Sequence, residues 1–578
     1  MDSIANALQV VSGFVFGLPL VVLILATGCY YTVRLVFPQV RRIPHSIAIT
    51  MGKYSKEGDP GDVTHFQALC AALSATVGVG NIAGVATAIH AGGPGALFWM
   101  WVSGFLGMAI KYSECTLSQR YRVHHADGTV SGGPMYYIER GLGPRFRWLA
   151  VVFASFGLLA TLGGGNMVQS NSVAIAFIDQ FALTKYHADT PLSTLNGGKG
   201  ITLDGGAGFQ VILNDGDSFV VELSRAETVG HFLGLINNNP SNHGRVTAFI
   251  ALDEDSIILN DHTRGDGRFS LQPYGGTNTL KELGFLKEGR TLNHLSDNEI
   301  GTVVPQKLAW RAIIGLVLSG IVGVVIIGGI RRIGKVASRL VPVMSAIYTA
   351  GALAIILWNI TSVPEAFHLI FKHAFTPTSA AGGFAGATVL YTLNWGIKRA
   401  VFSNEAGLGS AAIAHAAART KEPVREGLVA LLEPLVDTLI LCSLTGLVII
   451  ISGQWMSGAD SSVLTRNAFN AGLPVVGGFI VTTGLILFAI STAISWSYYG
   501  DRCAQYLFGP VALIPYRCIF LLFLFTGAMT QLRFVWGFSD IANAMMAFPN
   551  LIALVALSPV VLYLTKDYFS RQHRRAHR

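Results

Sequence analysis

The stretch from Phe66 to Gly95, FQALCAALSATVGVGNIAGVATAIHAGGPG, limits what this chain can fold into more than any other part. It is apolar enough to lie in hydrocarbon and carries no Lys, Arg, Asp or Glu. Yet its middle, Val77 to Gly84, reads VGVGNIAG, and three glycines in so short a run are poor material for a continuous helix. Inside a membrane an unwound backbone is tolerated only where protein or a water-filled cavity receives its freed N–H and C=O groups. Two half-helices meeting near the bilayer midplane satisfy that condition. The carbonyl end of the first half, around Ser74 to Val77, then suits a cation. The amide end of the second, from about Ile82, suits a carboxylate, with Asn81 at the break. The competing reading is one close-packed helix whose glycines admit a neighbour.

Composition decides the class. Of 578 residues, 51% are hydrophobic and only 13% charged, whereas a soluble domain has about 25% charged residues. The chain therefore reads as a polytopic protein of the lipid bilayer. Its net charge of +8 does not point to nucleic acid, because the basic residues gather in short loops beside apolar spans. The six cysteines show no zinc spacing or disulfide framework. With no phosphate loop, nucleophile–base set or redox motif, an enzyme is not expected.

The first span runs from Val10 to Val36, and no Lys or Arg precedes Arg34, so the basic start of a signal peptide is missing. Arg41, Arg42, Lys53 and Lys56 put the next loop in the cytoplasm and the N-terminus outside. The interrupted span goes out, Gly95 to Leu117 returns to a basic loop, and Trp148 to Phe181 goes out again. From 184 to 304 hydropathy collapses. Short runs such as FQVIL, SFVVEL and VTAFIAL are divided by Asp, Asn and Gly, and Thr228 to Asn238 suits a short helix. This is an α+β insert of domain size, outside the cytoplasm by span parity, with an unknown partner. Spans resume at Leu308 to Ile330, a basic loop from Arg331 to Arg339, and Leu340 to Ile360. They continue with Gly382 to Ala418, Leu428 to Ser452, Val475 to Tyr499, Val511 to Met529 and Phe538 to Leu564, with room for a re-entrant segment near Pro549. The basic tail is cytoplasmic. The expected organisation is thus an all-α polytopic membrane protein of about eleven spans, divided as 1–183, the insert 184–304, and 305–578, in the cell (inner) membrane.

Spans two to six and seven to eleven form two sets of five in opposite orientation, each opening on a glycine-interrupted span. Matching interruptions in two halves are the best sequence pointer to a transporter site. AGGPGALFWMWVSGFLG (Ala91 to Gly107), SGGPMYYIERGLG (Ser131 to Gly143), FSNEAGLGSAAIAHAAA (Phe402 to Ala418), DTLILCSLTGLVIIISG (Asp437 to Gly453) and STAISWSYYG (Ser491 to Gly500) resemble the alanine/glycine:cation symporter family. The break, with Glu114 downstream, is also similar to the neurotransmitter:sodium symporters, which implies a five-plus-five inverted-repeat core with broken helices. Ala400 and Gly104 depart from the family pattern, and the insert lies outside it.

The resemblance implies that sodium is co-transported between the Ser74 and Val77 carbonyls and the hydroxyls of Ser491 and Thr492, with Thr76 and Asn81 holding a second ion. It implies a small amino acid on Gly78, Gly80 and Asn81, faced by Asn394, Trp395 and Gln169. Trp395 reads as a lid ahead of a lipid-facing or packing residue, and Gln169 equally as a site residue or a helix–helix tie. Lys111 and Glu114, one turn apart, suit a structural ion pair. Lys398, Arg399 and Glu405 suit an inner gate or cytoplasmic contact, against a purely structural role. Glu433, Asp437 and Asp540 suit proton coupling or backbone bonding, and His415 is assigned no metal. The chain reads as a sodium-coupled symporter of alanine or glycine. The alternatives are a proton-coupled amino acid symporter, or a membrane receptor or assembly anchor acting through the insert.

Overall fold

The computed structural model describes residues 2–55, 58–125, 128–180, 308–378, 386–530 and 532–576. Between these blocks it describes 188, 190–194, 201, 208–223, 226–251, 256–263, 267, 269–274, 279–283, 285–287, 290–291 and 299–301. Among the described residues, seven helices are long and apolar enough to cross a membrane, and His65–Thr76 with Gly80–Gly92 supplies an eighth if that pair, bent by 50°, is one span. Three further spans expected from the sequence have helices that fall short of this measure. Ala96–Tyr121 is diluted by Lys111, Glu114 and Arg120, and the apolar helix at the fifth expected span is short, Trp310–Ile326. Val389–Asn404 stops at the glycines of its own sequence, and the first residues expected of that span, 382–385, lie outside the described residues.

Two local expectations are corrected. The basic stretch from Arg331 to Arg339 is not a loop but the first turns of the helix Gly329–Trp358. Arg331 there pairs with the buried carboxylate of Asp62 at 3.2 Å, while Arg332, Lys335 and Arg339 stay exposed. Pro549 lies inside the helix Leu532–Ala556 and marks no re-entrant segment; the chain breaks only at Leu557, before Ser558–Ala576.

Within the insert, alternation of apolar and polar residues produces the expected strands. Gly208–Ile212 is the centre of one antiparallel sheet, between Ser218–Glu222 and Ser270–Tyr274. Ser256–Asp261 is the centre of another, between Val246–Ala251 and Glu299–Gly301. The helix Val229–Asn237 starts at Thr228, whose hydroxyl accepts from the His231 amide at 3.2 Å, as an N-cap should. Phe209, Val211, Phe232 and Leu259 belong to a hydrophobic cluster drawn wholly from Leu192 to Phe285, distinct from the one that joins the apolar helices.

A hydrophobic cluster of its own is the reason to test the insert by deletion. Replacing Lys185 to Val304 by a short Gly/Ser linker is expected to leave a protein that inserts in membranes and still takes up substrate, because longer loops add little closure entropy. Normal insertion with no substrate binding would show instead that the insert completes the site.

Candidate functional site

The first break is built by its own sequence. Val77 leaves the helical region (ψ 89°) and closes the first half with its amide on the Leu73 carbonyl, 2.7 Å. The amides freed beyond it are taken by side chains. Gly78 N–H donates to Asn81 Oδ1 at 2.8 Å, and Val79 N–H to Gln169 Oε1 at 3.4 Å. Asn81 Nδ2 in turn donates to the Asp437 carboxylate at 2.7 Å and to its carbonyl at 3.1 Å. The glycines are required by close approach: a Cβ on Gly78 would stand 2.5 Å from Thr492 Oγ1, and one on Gly80 3.0 Å from Ser403 Cα.

A second break follows Val389–Asn404. Glu405 takes a left-handed conformation (φ 57°), Gly407 and Gly409 follow at φ 90° and 78°, and a helix resumes at Ala411–His415. Asn404 caps the gap by accepting from Ala406 N–H at 3.0 Å. Gly407 N–H donates to Glu114 at 3.1 Å, and its carbonyl accepts from Asn550 at 2.9 Å. Glu405 is buried; its carboxylate accepts from Ser410 Oγ and, at 2.8 Å, from Trp496 Nε1.

A small cavity lies between the breaks. Thr76, Gly78, Gly80, Gln169 and Thr492 line it, all expected from the sequence. Thr492 Oγ1 is buried there with no hydrogen-bond partner among the described residues. Ser74, Val77 and Ser491 do not line the cavity, although the two serines meet: Ser74 Oγ donates to the Ser491 carbonyl at 2.7 Å, and Ser491 Oγ lies 2.8 Å from Phe488 O and 3.4 Å from Ser74 O. Asn81 does not face the cavity, because both ends of its amide are committed to Gly78 and Asp437. Asn394 and Trp395 do not line it either. Trp395 stacks instead on cations, 5.3 Å from Lys398 Nζ and 5.1 Å from the Arg399 guanidinium, and Asn394 Oδ1 is buried without a partner among the described residues.

The remaining walls, among them Gly164, Phe402, Glu405, Trp496 and Asn543, were missed as site residues. The signal for two of them was present in the run Gly163 to Gly165. A Cβ on Gly165 would fall 2.2 Å from the Trp496 ring, so the glycine clears the indole that reaches Glu405.

Ion pairing also differs from expectation. Lys111 does not pair with Glu114 but with Glu433, at 3.0 Å. Glu433 also contacts His415 Nε2, whose Nδ1 meets Glu426 at 2.6 Å, and Glu426 bonds His65 in turn. His415, Glu433 and Cys115 bring ligand-type atoms within 4.8 Å of one another, but both nitrogens of His415 are already held by carboxylates. Asp437 accepts from Asn81, from Ser403 at 2.9 Å and from Thr438 at 2.8 Å, and forms no ion pair among the described residues. Asp540 pairs with Lys398 at 2.7 Å.

Comparison with known proteins bears on this arrangement. The profile of the sodium:alanine symporter family matches residues 1–199 and 285–578. An uncharacterized transporter of Haemophilus influenzae is 37% identical, with 98% of this chain and 97% of that one aligned. The sodium/alanine symporter AgcS of Methanococcus maripaludis is 35% identical over 97% of each chain. The uncharacterized transporter YflA of Bacillus subtilis is 31% identical over 99% of this chain and 95% of its own.

The break geometry generates a direct test. Gly80→Leu would drive a branched side chain into the Ser403 backbone and the cavity. Uptake is expected to fall to background while the protein remains in the membrane at wild-type level. Wild-type uptake would show that these glycines serve packing only.

Proposed function

The chain belongs to the sodium:alanine symporter family, and from that premise we propose that it carries a small neutral amino acid, alanine or glycine, inward together with sodium. It is a multi-pass membrane transporter, not an enzyme. The carrying observation is the small cavity between two helix breaks, where Thr492 Oγ1 lies buried and unpartnered among the described residues. Sodium, as cargo, is held by the Ser74 and Val77 carbonyls and the Ser491 and Thr492 hydroxyls, hard neutral oxygens suited to a hard cation. The substrate carboxylate lies toward Gly78 and Gly80, at the amide end of the second half-helix, and the ammonium toward Glu405. Phe402 and Trp496 leave room only for a small side chain, so each added methylene is disfavoured.

In this reading eleven spans cross the cell membrane, ten of them as two inverted sets of five. The N-terminus and the insert lie outside and the basic tail in the cytoplasm. Alternating access follows when the elements carrying the two breaks rock against the rest. One observation favours a proton instead of sodium: among the described residues Asp437 is a buried carboxylate bonded only to neutral donors, at the junction of both breaks.

Ion replacement in proteoliposomes separates the two. With sodium coupling, alanine uptake collapses when choline replaces sodium and survives collapse of the proton gradient. Equal uptake in choline, driven by a proton gradient and lost in Asp437→Asn, would transfer the coupling role to that carboxylate.

A further inference from the structure

Among the described residues, Arg399 is a buried cation whose nearest carboxylate stands off at 3.7 Å. It sits on Val389–Asn404 three residues before Phe402, which lines the cavity; Asp540 sits on Leu532–Ala556 three residues before Asn543, which also lines it. Three residues are about one helical turn. Arg399 NH1 and Asp540 Oδ1 face each other at 3.7 Å, so both side chains lie one turn from the cavity at the same end. The rings of Phe402 and Trp536, 4.6 Å apart, belong to this same group.

The charges here do not balance. Asp540 Oδ2 is taken by Lys398 at 2.7 Å and by Ser12 at 3.3 Å. Asp540 Oδ1 has no hydrogen-bond partner among the described residues, nor do Nε and NH1 of Arg399, although only 3% of Arg399 is exposed. The guanidinium rests on aromatic faces, 4.1 Å from Trp536, 5.1 Å from Trp395 and 5.9 Å from Phe402. Asp460, the other carboxylate whose charge reaches it, is engaged by Thr87 at 2.8 Å. Cation–π contact offsets part of the desolvation but satisfies none of the in-plane donors. Two cations thus share the one carboxylate in contact with them, and Asp460 acts on Arg399 only from a distance.

A guanidinium presents a planar fork that fits a carboxylate, and an isolated carboxylate oxygen accepts from an ammonium. These are the two ends of an amino acid. We infer that Arg399 and Asp540 form a second binding site for the zwitterionic amino acid, one turn from the central cavity, where the substrate splits their loose pair before it passes Phe402 and Trp536. A free inorganic anion would satisfy Arg399 but leave Asp540 Oδ1 unmatched. This site rests on the amino-acid reading proposed above.

The test is equilibrium binding of radiolabelled alanine to the full chain in sodium-containing nanodiscs. Wild type is expected to bind two alanines per chain, and Gly80→Leu, with its cavity filled, one. Gly80→Leu/Arg399→Gln is expected to bind none. Gly80→Leu/Arg399→Lys, which keeps the charge and guards against misfolding, should bind about tenfold more weakly, and Gly78→Val serves as a second blocked background. One alanine in wild type and none in Gly80→Leu would overturn the second site and leave the central one standing. Retention of one alanine in Gly80→Leu/Arg399→Gln would place the residual site elsewhere and overturn it too. No binding of any small neutral amino acid by wild type would overturn the transport reading and the site with it. Chloride replaced by gluconate should change nothing; a chloride requirement that disappears with Arg399→Gln would assign the cluster to an inorganic anion.

Discussion

The two breaks depend on one requirement: every backbone group released from a helix inside hydrocarbon must find a partner in the protein. An unsatisfied amide there costs several kcal/mol, of order ~4–8 against an alkane reference. The polar residues around the cavity are in large part the answer to that cost. Asn81 and Gln169 receive the amides of the first break, while Glu114, Asn404 and Asn550 attend to the second. Amide side chains recur because each offers a donor and an acceptor at once. Asn550 donates to both Glu114 and the Gly407 carbonyl, which ties the second break to two other helices. Gly104 fits the same frame, since a Cβ there would approach Thr438 to within 2.9 Å beside Asp437.

The breaks are also joined to each other. Asp437 accepts from Asn81 of one and Ser403 of the other. A buried chain of titratable side chains lies around the second half of the second broken helix: His65 to Glu426, Glu426 to His415, His415 to Glu433, Glu433 to Lys111. Removing one member of such a set strands its partner and costs about 3–5 kcal/mol. Each member thereby holds the next in place across the second broken helix.

Much of this was legible in the sequence, and the reason differs by feature. The breaks were legible because glycine acts locally: VGVGN and NEAGLG interrupt a helix whatever surrounds them. Ser74 meeting Ser491 was reached only through family resemblance, since no local rule links residues 417 apart. The failures share a cause. Lys111 and Glu114 are spaced to pair along one helix, yet each found a stronger partner on another element, because tertiary contacts override i,i+3 spacing in a closely packed bundle. Trp395 has the aromatic surface of a lid but is turned toward Lys398 and Arg399, where cation–π contact holds it. Glu405 looked like a gate charge because nothing in its neighbourhood shows that Trp496 comes within reach of it.

The placement of Glu405 changes how coupling is understood. On the transport reading, the candidate sodium ligands are neutral oxygens, which by themselves give a cation no compensating charge. The same cavity, however, contains the buried carboxylate of Glu405, held by Trp496 and Ser410. A zwitterionic substrate is neutral overall: its ammonium balances Glu405, and its own carboxylate is then left without a counter-charge in a site of low dielectric. In the proposed sodium symport, a single sodium ion beside Thr492 would restore the balance, and each cargo would then raise the affinity of the other without direct contact between them. Coupling of that kind would arise from charge neutrality of a closed cavity rather than from any one ligand, with an ionised Glu405 as the fixed charge that both cargoes answer.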